Sequence, residues 1–512
     1  MQGCSPGMPK IEQFSDLVLK PRSAETTLYR WLFEELRSAI AEGRLRPTSR
    51  LPSSRSLSRQ YNVSRGIVVS AFEQLCAEGY VDSQVGSGSF VRTVIPERRL
   101  EARRIQPPPR EVPSHAGLSA RGHRMADNSF PVVWTNQVSP AFRVGQPSLA
   151  TFPMELWSRI ASRRLRRAPS SMLAYGEPLG YRPLRDEIAE YVGKARGIKC
   201  TADEVVITSG TQQSLDLVAR LLLDRGDKVW MEDPGYPGAT RLFRAHGAEV
   251  VPVPVDDQGI NCKAGRALNK SAKLAYITPA HQFPMGVTMS FARRTELLEW
   301  AREQNAWIFE DEYDGEFRYT GRPLAALRSM DGSDCVIYSS TFNKLLFQTL
   351  QLGFLVVPPR LAEPIAAAKS IMDRFTSVLD QAILCDFISE GHLGAHIRRM
   401  RETYAGRLDI LLKCARTELE GFMDLSPTRA GMQTVGWLSQ GIGSMEVHDL
   451  ALAQGIESVP LSCLAINKSV PEALVLGFAA ADPRAIRGGI TCLAEIIRGV
   501  KPRNSDQART AP

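Results

Sequence analysis

Two stretches decide the fold: Ala306-Trp307-Ile308-Phe309-Glu310-Asp311-Glu312-Tyr313-Asp314 and Cys335-Val336-Ile337-Tyr338-Ser339-Ser340-Thr341-Phe342-Asn343-Lys344. Each opens on a short apolar run of strand length. The first then passes into carboxylates and a phenol, the second into a lone lysine. A strand ending in Asp-x-Tyr, followed by a strand ending in Lys, supplies what a pyridoxal phosphate site needs. Lys344 would form the Schiff base, Asp311 would hold the pyridinium nitrogen protonated, and Tyr313 would reach the ring oxygen.

Working outward, the same alternation continues upstream. Val205-Val206-Ile207-Thr208 leads into Ser209-Gly210-Thr211-Gln212 and a helical stretch through Leu223. Lys228-Val229-Trp230-Met231 leads to Glu232-Asp233-Pro234-Gly235-Tyr236, and Val250-Val251-Pro252-Val253 comes next. Leu274-Ala275-Tyr276-Ile277 runs into Thr278-Pro279-Ala280-His281-Gln282-Phe283-Pro284. Strands alternating with helices predict an α/β sheet, mostly parallel, with ligands at the strand ends. Ser209, Gly210 and Thr211 would start a helix whose amides can hold a phosphate. Tyr236 would stack on the cofactor ring. A Ser-Gly-Thr turn or a single Lys carries little alone; four compatible groups in order, each after a strand, carry more.

The totals set the frame. The 512 residues, 43% hydrophobic and 23% charged, describe globular protein of two or three domains. No apolar run approaches a membrane span, and the N-terminus lacks an apolar signal core, so the cytoplasm is the expected compartment, with no membrane partner. Nine Cys and seven His show no metal spacing, which predicts reduced, structural thiols and no metal site. The net charge of +8 is unevenly spread: Arg44, Arg46, Arg50, Arg55, Arg59 and Arg65 fall in a stretch without a single acid. Such a run is either a solvated face or a surface for phosphates.

That stretch lies in a predicted helical module at 24–93. Leu28, Trp31, Leu32, Leu36, Ala39 and Ile40 recur at three and four residues, a helix stopped by Gly43. Ser53 would cap a second helix, with Leu57 and Tyr61 inward. Ser64 would cap a third, with Val68, Ala71, Phe72 and Leu75 as its buried stripe. Val81 to Val91 reads as two short strands around a glycine-rich tip. Helix, helix-turn-helix and wing is the order of a winged helix. Its third helix would present Ser64, Arg65 and Gly66 to the bases, with Arg55 and Arg59 meeting phosphate and Gly88 in the wing. The competing reading is a small helical domain whose hairpin binds protein; the acid-free arginines on the DNA-facing elements favour DNA. Residues 94–140, with Pro107-Pro108-Pro109 and seven arginines, predict an extended, mobile linker. The remainder, 141–512, would be the cofactor domain.

The residues also carry a resemblance. Leu51-Pro52-Ser53-Ser54-Arg55-Ser56-Leu57, Val63-Ser64-Arg65, Ala71-Phe72-Glu73-Gln74-Leu75, Glu78-Gly79-Tyr80 and Gly86-Ser87-Gly88-Ser89-Phe90-Val91 resemble the GntR-type winged helix. Ala174-Tyr175-Gly176-Glu177-Pro178-Leu179-Gly180-Tyr181, Thr208-Ser209-Gly210-Thr211-Gln212, Glu232-Asp233-Pro234-Gly235-Tyr236, Pro279 to Gly286 and Glu316-Phe317-Arg318-Tyr319 resemble fold-type I aminotransferases. Together they resemble a MocR-type regulator over roughly residues 24 to 500. The resemblance implies an N-terminal winged helix on operator DNA, a C-terminal pyridoxal phosphate domain, and a homodimer. Tyr175 would then reach the partner's cofactor phosphate.

The pattern departs in four places. Gly66-Ile67 stands where the family carries a polar pair. Gln351 stands where an Arg usually clamps the cofactor phosphate, and Asn343 replaces a Ser. Ala473 to Ala481 has no Arg to hold a substrate carboxylate, Arg484 being nearest. Two functions remain in view: a regulator that senses pyridoxal phosphate, or an amine or amino acid joined to it, and a working aminotransferase with a DNA-binding appendage. A third reading, a regulator whose pocket has lost the cofactor, rests on Gln351.

Overall fold

The structure is a computed structural model that describes residues 17–23, 26–84, 88–93, 117–129, 141–321, 325–467 and 469–500. The chain divides into two compact units, Met1–Ala116 and Gly117–Pro512. The wing tip at 85–87 and the predicted linker at 94–116 and 130–140 lie outside the described residues.

In the first unit, α1 (Leu28–Ala41), α2 (Ser54–Gln60) and α3 (Arg65–Ala77) are followed by β1 (Val81–Gln84) and β2 (Gly88–Val91). Each helix starts on a hydroxyl cap: Thr27, Ser53 and Ser64 accept amides of Arg30, Ser56 and Ile67. β1 and β2 pair antiparallel, Val81 opposite Val91, and Leu51 extends the ladder by donating its amide to the Ser89 carbonyl at 2.7 Å. Leu32, Leu36, Ala39, Leu57, Val68, Ala71 and Leu75 close the core with Tyr80 and Val91.

Several expected core positions differ. Leu28 is exposed, and Trp31, Tyr61 and Phe72 are half-buried. Phe33, Leu17 and Leu19 are buried instead. The segment before Ala24 reaches the helices through polar anchors: the Trp31 indole donates to the Lys20 carbonyl at 2.8 Å, and the Gln60 amide to the Leu17 carbonyl at 3.3 Å. Trp31 and Tyr61 meet edge to face at 6.0 Å and keep their polar ends toward that segment. The packed module therefore begins before the expected boundary at residue 24.

The second unit opens on a helix that the sequence did not announce. The stretch predicted as extended contains α4 (Ala120–Asp127), capped by Ser119, whose hydroxyl accepts the Gly122 amide at 3.0 Å. None of its residues is buried, so no apolar stripe betrays it. It lies against the helix Pro237–His246, whose Arg241 donates to the Ser129 carbonyl.

Then follow α5 (Met154–Arg166), α6 (Arg182–Arg196), β3 (Val205–Thr208), α7 (Thr211–Leu222), β4 (Lys228–Asp233), α8 (Pro237–His246), β5 (Glu249–Asp256), β6 (Gly259–Ile260), α9 (Cys262–Asn269), β7 (Leu274–Ile277), α10 (Phe291–Gln304), β8 (Trp307–Glu312), β9 (Val336–Thr341) and β10 (Gly353–Val356). The eight strands form one sheet in the order β3-β10-β9-β8-β7-β4-β5-β6. β5-β4-β7-β8-β9 is parallel throughout; β10 runs antiparallel to both β9 and β3, so β3 points the same way as β9. The C-terminal ends of β3, β4, β7, β8 and β9 thus open on one edge, where such sheets bind ligands.

Alternation of side chains covers both faces. Val206, Met231, Tyr276, Phe309, Ile337 and Leu355 pack on Leu215, Val218 and Phe243 of α7 and α8. Trp230, Ala275, Ile277, Ile308 and Val336 pack oppositely on Leu297, Trp300 and Ala301 of α10. α11 (Pro359–Met372), α12 (Val378–Ser389) and α13 (His392–Glu418) lead to a small antiparallel sheet. Its strands β11 (Met423–Leu425), β12 (Gln433–Leu438), β13 (Val459–Pro460) and β14 (Ala473–Gly477) run in the order β11-β12-β14-β13. α14 (Ser444–Ala453) and α15 (Pro483–Gly499) pack near it. Among the described residues no helix is long and apolar enough to cross a membrane, and no His, Cys and carboxylate group could hold a metal ion.

Candidate cofactor site and nucleic-acid interface

On the first unit, Arg55, Arg59, Ser64, Arg65 and Gly66 are all exposed. Arg44 and Arg92 pair with Glu42 and Asp82, but Arg55, Arg59 and Arg65 have no carboxylate among the described residues; Arg65 only donates to the Ser54 hydroxyl at 3.4 Å. α2 and the start of α3 therefore present unneutralised guanidinium groups beside the caps of two helices, an arrangement suited to a phosphate backbone. Gly66 opens space rather than filling it: a Cβ there would meet only the Ser64 hydroxyl, at 3.9 Å. Gly88 has φ +104, and a Cβ on it would run into the Arg50 guanidinium, so glycine lets Arg50 lie across the wing.

On the second unit, the edge formed by the strand ends gathers the expected groups. β8 runs on through Glu312, so Asp311 sits within the strand rather than after it. Its carboxylate accepts the Tyr276 hydroxyl at 2.7 Å and the Thr211 hydroxyl at 3.4 Å. Burial pushes the Asp311 carboxyl up to about 6, against the pull of those two bonds and of Lys344. Lys344 follows β9 by three residues, and its ammonium donates to the Gly145 carbonyl at 2.6 Å. Desolvation lowers the lysine's affinity for its proton, with Asp314 and Asp311 opposing that shift. An amine so placed is readier to act as a nucleophile than one in water.

The loop Ser209-Gly210-Thr211 joins β3 to α7. Gly210 caps that helix at φ 131 and ψ −175, a conformation reserved for glycine, and no side chain caps the first turn. The Asn343 side chain stands beside it: a Cβ on Gly210 would come within 3.1 Å of the Asn343 amide nitrogen. The Asn343 oxygen accepts the Leu352 amide at 3.0 Å, which orients the nitrogen toward the helix start.

Tyr236 lies edge-on to Phe283 at 6.1 Å and parallel to Tyr276 at 6.4 Å, and its hydroxyl takes a bond from Gln212 at 2.9 Å. Tyr313 is held by two partners: its hydroxyl lies 3.0 Å from the His281 Nδ1 and accepts the Gln433 amide at 3.0 Å. The same His281 nitrogen is 2.9 Å from Asp314. Glu232, fully buried at the end of β4, accepts bonds from Thr278 and Gln282 on one oxygen while the other has no partner; burial pushes its carboxyl up to about 7.

Not every expected residue joins this group. Gln351 is exposed, takes a left-handed conformation at φ 50, and turns its amide back to the Gln348 carbonyl at 3.2 Å. Tyr175 is 80% exposed, edge to face with Phe375 at 6.1 Å and under the Arg374 guanidinium at 5.0 Å. Arg484 is exposed at the start of α15. Sequence reasoning singled out no role for Tyr276, His281, Asp314, Gln433 or Gly145. His281 and Asp314 lay inside quoted motifs; Gly145 and Gln433 reach the site only through tertiary contacts.

A winged helix in the same chain as a fold-type I aminotransferase domain, with lysine, aspartate and a glycine-started helix at its strand ends, defines a two-module regulator of the pyridoxal phosphate class. The comparisons agree. Residues 142–433 match the aminotransferase class I and II family, and residues 28–91 match the gntR family of bacterial regulatory proteins. The chain is 35% identical to the probable rhizopine catabolism regulatory protein MocR of Rhizobium meliloti over 97% of this chain and 99% of that protein. It is 30% identical to the HTH-type pyridoxine biosynthesis transcriptional regulator PdxR of Corynebacterium glutamicum over 93% of this chain and 96% of that one. Pyrococcus horikoshii kynurenine aminotransferase, solved in complex with PMP, superposes with a TM-score of 0.66 at 30% identity, covering 71% of this chain and 92% of that chain. Thermus thermophilus LysN, an alpha-aminoadipate aminotransferase complexed with N-(5'-phosphopyridoxyl)-L-leucine, gives 0.65 at 28%, over 70% and 92%. The chain belongs to the MocR-type, GntR-family transcriptional regulators that carry an aminotransferase class I and II domain.

Proposed function

We propose that this protein is a DNA-binding transcription regulator that holds pyridoxal phosphate at Lys344 and senses the cofactor itself, or an amine or amino acid joined to it. One juxtaposition carries the reading: a desolvated Lys344 and a buried Asp311 share the ligand edge of the sheet, while the other unit exposes arginines without carboxylate partners. The residues fit the cofactor. Lys344 would make the covalent link, Asp311 would face the pyridine nitrogen, Tyr236 would lie against the ring, and Tyr313 would stand near the ring oxygen. Ser209, Gly210 and Thr211 would receive the phosphate, with Asn343 beside them.

When bound, the cofactor supplies a reactive carbonyl that captures amines; the chain orients it and excludes water. Catalytic turnover is the weaker reading. β14 carries no Arg, and the nearby buried Arg407 donates to the Ala479 carbonyl and stacks at Tyr404. The work would divide between the modules, the N-terminal one on operator DNA and the C-terminal one on the cofactor. A homodimer fits the apolar groups left exposed on one chain, among them Leu173, Tyr175 and Ile371. Borohydride reduction followed by peptide mapping tests the cofactor assignment. The label is expected on Lys344; a label elsewhere, or none with excess pyridoxal phosphate, would overturn it.

A further inference from the structure

The motif Glu316-Phe317-Arg318-Tyr319 has no part in the cofactor site, yet its Glu316 and Arg318 line a separate cavity of about 360 Å³. Arg196, Arg318, Arg398, Arg401 and Glu316 contribute its charged walls. Arg196 is spoken for: it lies 3.0 Å from Glu316 and 3.5 Å from Glu312. The other three guanidinium groups have no carboxylate contact among the described residues. Arg401 donates twice to the Glu316 carbonyl, at 3.2 and 2.9 Å, which fixes its plane. Arg398 is exposed and unpaired. Arg318 is half-buried, and its Nε is buried without a hydrogen-bond partner.

Buried donors without partners are costly and rare, and water, an ion or a ligand completes their bonding. Arg196, 4% exposed, has its Nη2 ion-paired to Glu316 and Glu312, and its buried Nε has no hydrogen-bond partner among the described residues. Glu316 adds one acceptor without a partner, its Oε2; its Oε1 takes the Tyr191 hydroxyl at 3.0 Å. Burial weakens the hold of Arg318 on its proton, with Arg429 adding to that shift and Glu312 opposing it.

We infer that this cavity is a second ligand site, distinct from the cofactor site, for a small phosphate or phosphomonoester held by Arg318, Arg398 and Arg401. The guanidinium groups suit phosphate oxygens. The lone Glu316 Oε2 suits a ligand that also brings a donor, which a monoprotonated phosphate does. The volume lies at the lower end of small-molecule pockets, which admits the phosphate and a short organic tail.

The test is calorimetric titration of the full chain, loaded with pyridoxal phosphate and dialysed free of excess, with inorganic phosphate and with glycerol 3-phosphate. Binding of either at about one per chain is expected, and the tighter of the two identifies the free anion or the ester as the natural form. Arg318→Gln and Arg398→Gln should each weaken it about tenfold or more. Asn343→Ala, at the cofactor site, and Arg65→Ala, in the other unit, should leave it unchanged. If Arg318→Gln does not fold, Arg398→Gln decides, because that side chain is exposed and makes no hydrogen bond or ion pair among the described residues. No binding of either probe at millimolar concentration, or binding indifferent to the Arg398 change, would overturn the inference.

Discussion

At the scale of single residues, the proposed phosphate end of the cofactor site would turn on Asn343 rather than on Gln351. Gln351 is exposed and bonded to its own turn, whereas the Asn343 amide nitrogen stands at the start of α7. Asn343→Ala should weaken pyridoxal phosphate binding by about 1.5–3 kcal/mol, the worth of one hydrogen bond to a charged group, read by absorbance titration. Gln351→Arg should tighten it by about 1 kcal/mol, if the longer side chain leaves the Gln348 carbonyl for the phosphate; an unchanged affinity would show that position 351 stays turned away.

Glu232 gives a pH dependence. Its carboxyl is raised from the ordinary 4.5 to about 7, so the folded chain keeps a proton that the unfolded chain releases. The stability it contributes is complete below about 4.5 and is lost as pH rises through 7, a difference on the order of 2–3 kcal/mol. Asp311, raised to about 6, works in the same direction. Denaturant unfolding of the cofactor-free chain should therefore show stability falling between pH 4.5 and 7.5, and Glu232→Gln should flatten that slope. A slope unchanged in the variant would place the titration elsewhere.

At the scale of elements, the cofactor edge depends on close approaches that leave no room for a Cβ. A Cβ on Gly238, in the first turn of α8, would collide with the Tyr236 ring and with the Gln212 amide. Gly238→Ala should cost about 1–3 kcal/mol of stability through this overpacking and loosen pyridoxal phosphate by displacing the ring; thermal unfolding and cofactor titration on one preparation would check both. The strands were legible because Val205–Thr208, Leu274–Ile277 and their neighbours are short apolar runs with turn residues behind them. The helix Ala120–Asp127 was not, because it buries nothing and offers no period. Leu17 and Leu19 were missed because two apolar residues in irregular chain carry no pattern until the helices they cover are known. Lys344 and Asp311 stood out by chemistry and position. Their partners Tyr276 and Gly145 did not, since a hydrogen bond across a sheet edge leaves no trace in local sequence.

At the scale of the whole molecule, two modules share one chain, and each can be disabled alone. Arg55→Ala and Arg65→Ala should each weaken operator binding by about 1–3 kcal/mol and flatten its salt dependence by roughly one unit of slope, with the absorbance of the bound cofactor unaltered. The central claim is that the cofactor domain governs the DNA-binding one, which requires the bound cofactor or its amine adduct to have different affinities for two arrangements of the protein. The most direct measurement is operator affinity at fixed salt, with and without pyridoxal phosphate, for the wild type and for Lys344→Ala. The account predicts that the cofactor shifts the wild-type affinity several-fold, and that Lys344→Ala binds DNA but no longer responds. Cofactor bound at Lys344 with no change in operator affinity, together with turnover of an amino donor, would contradict it.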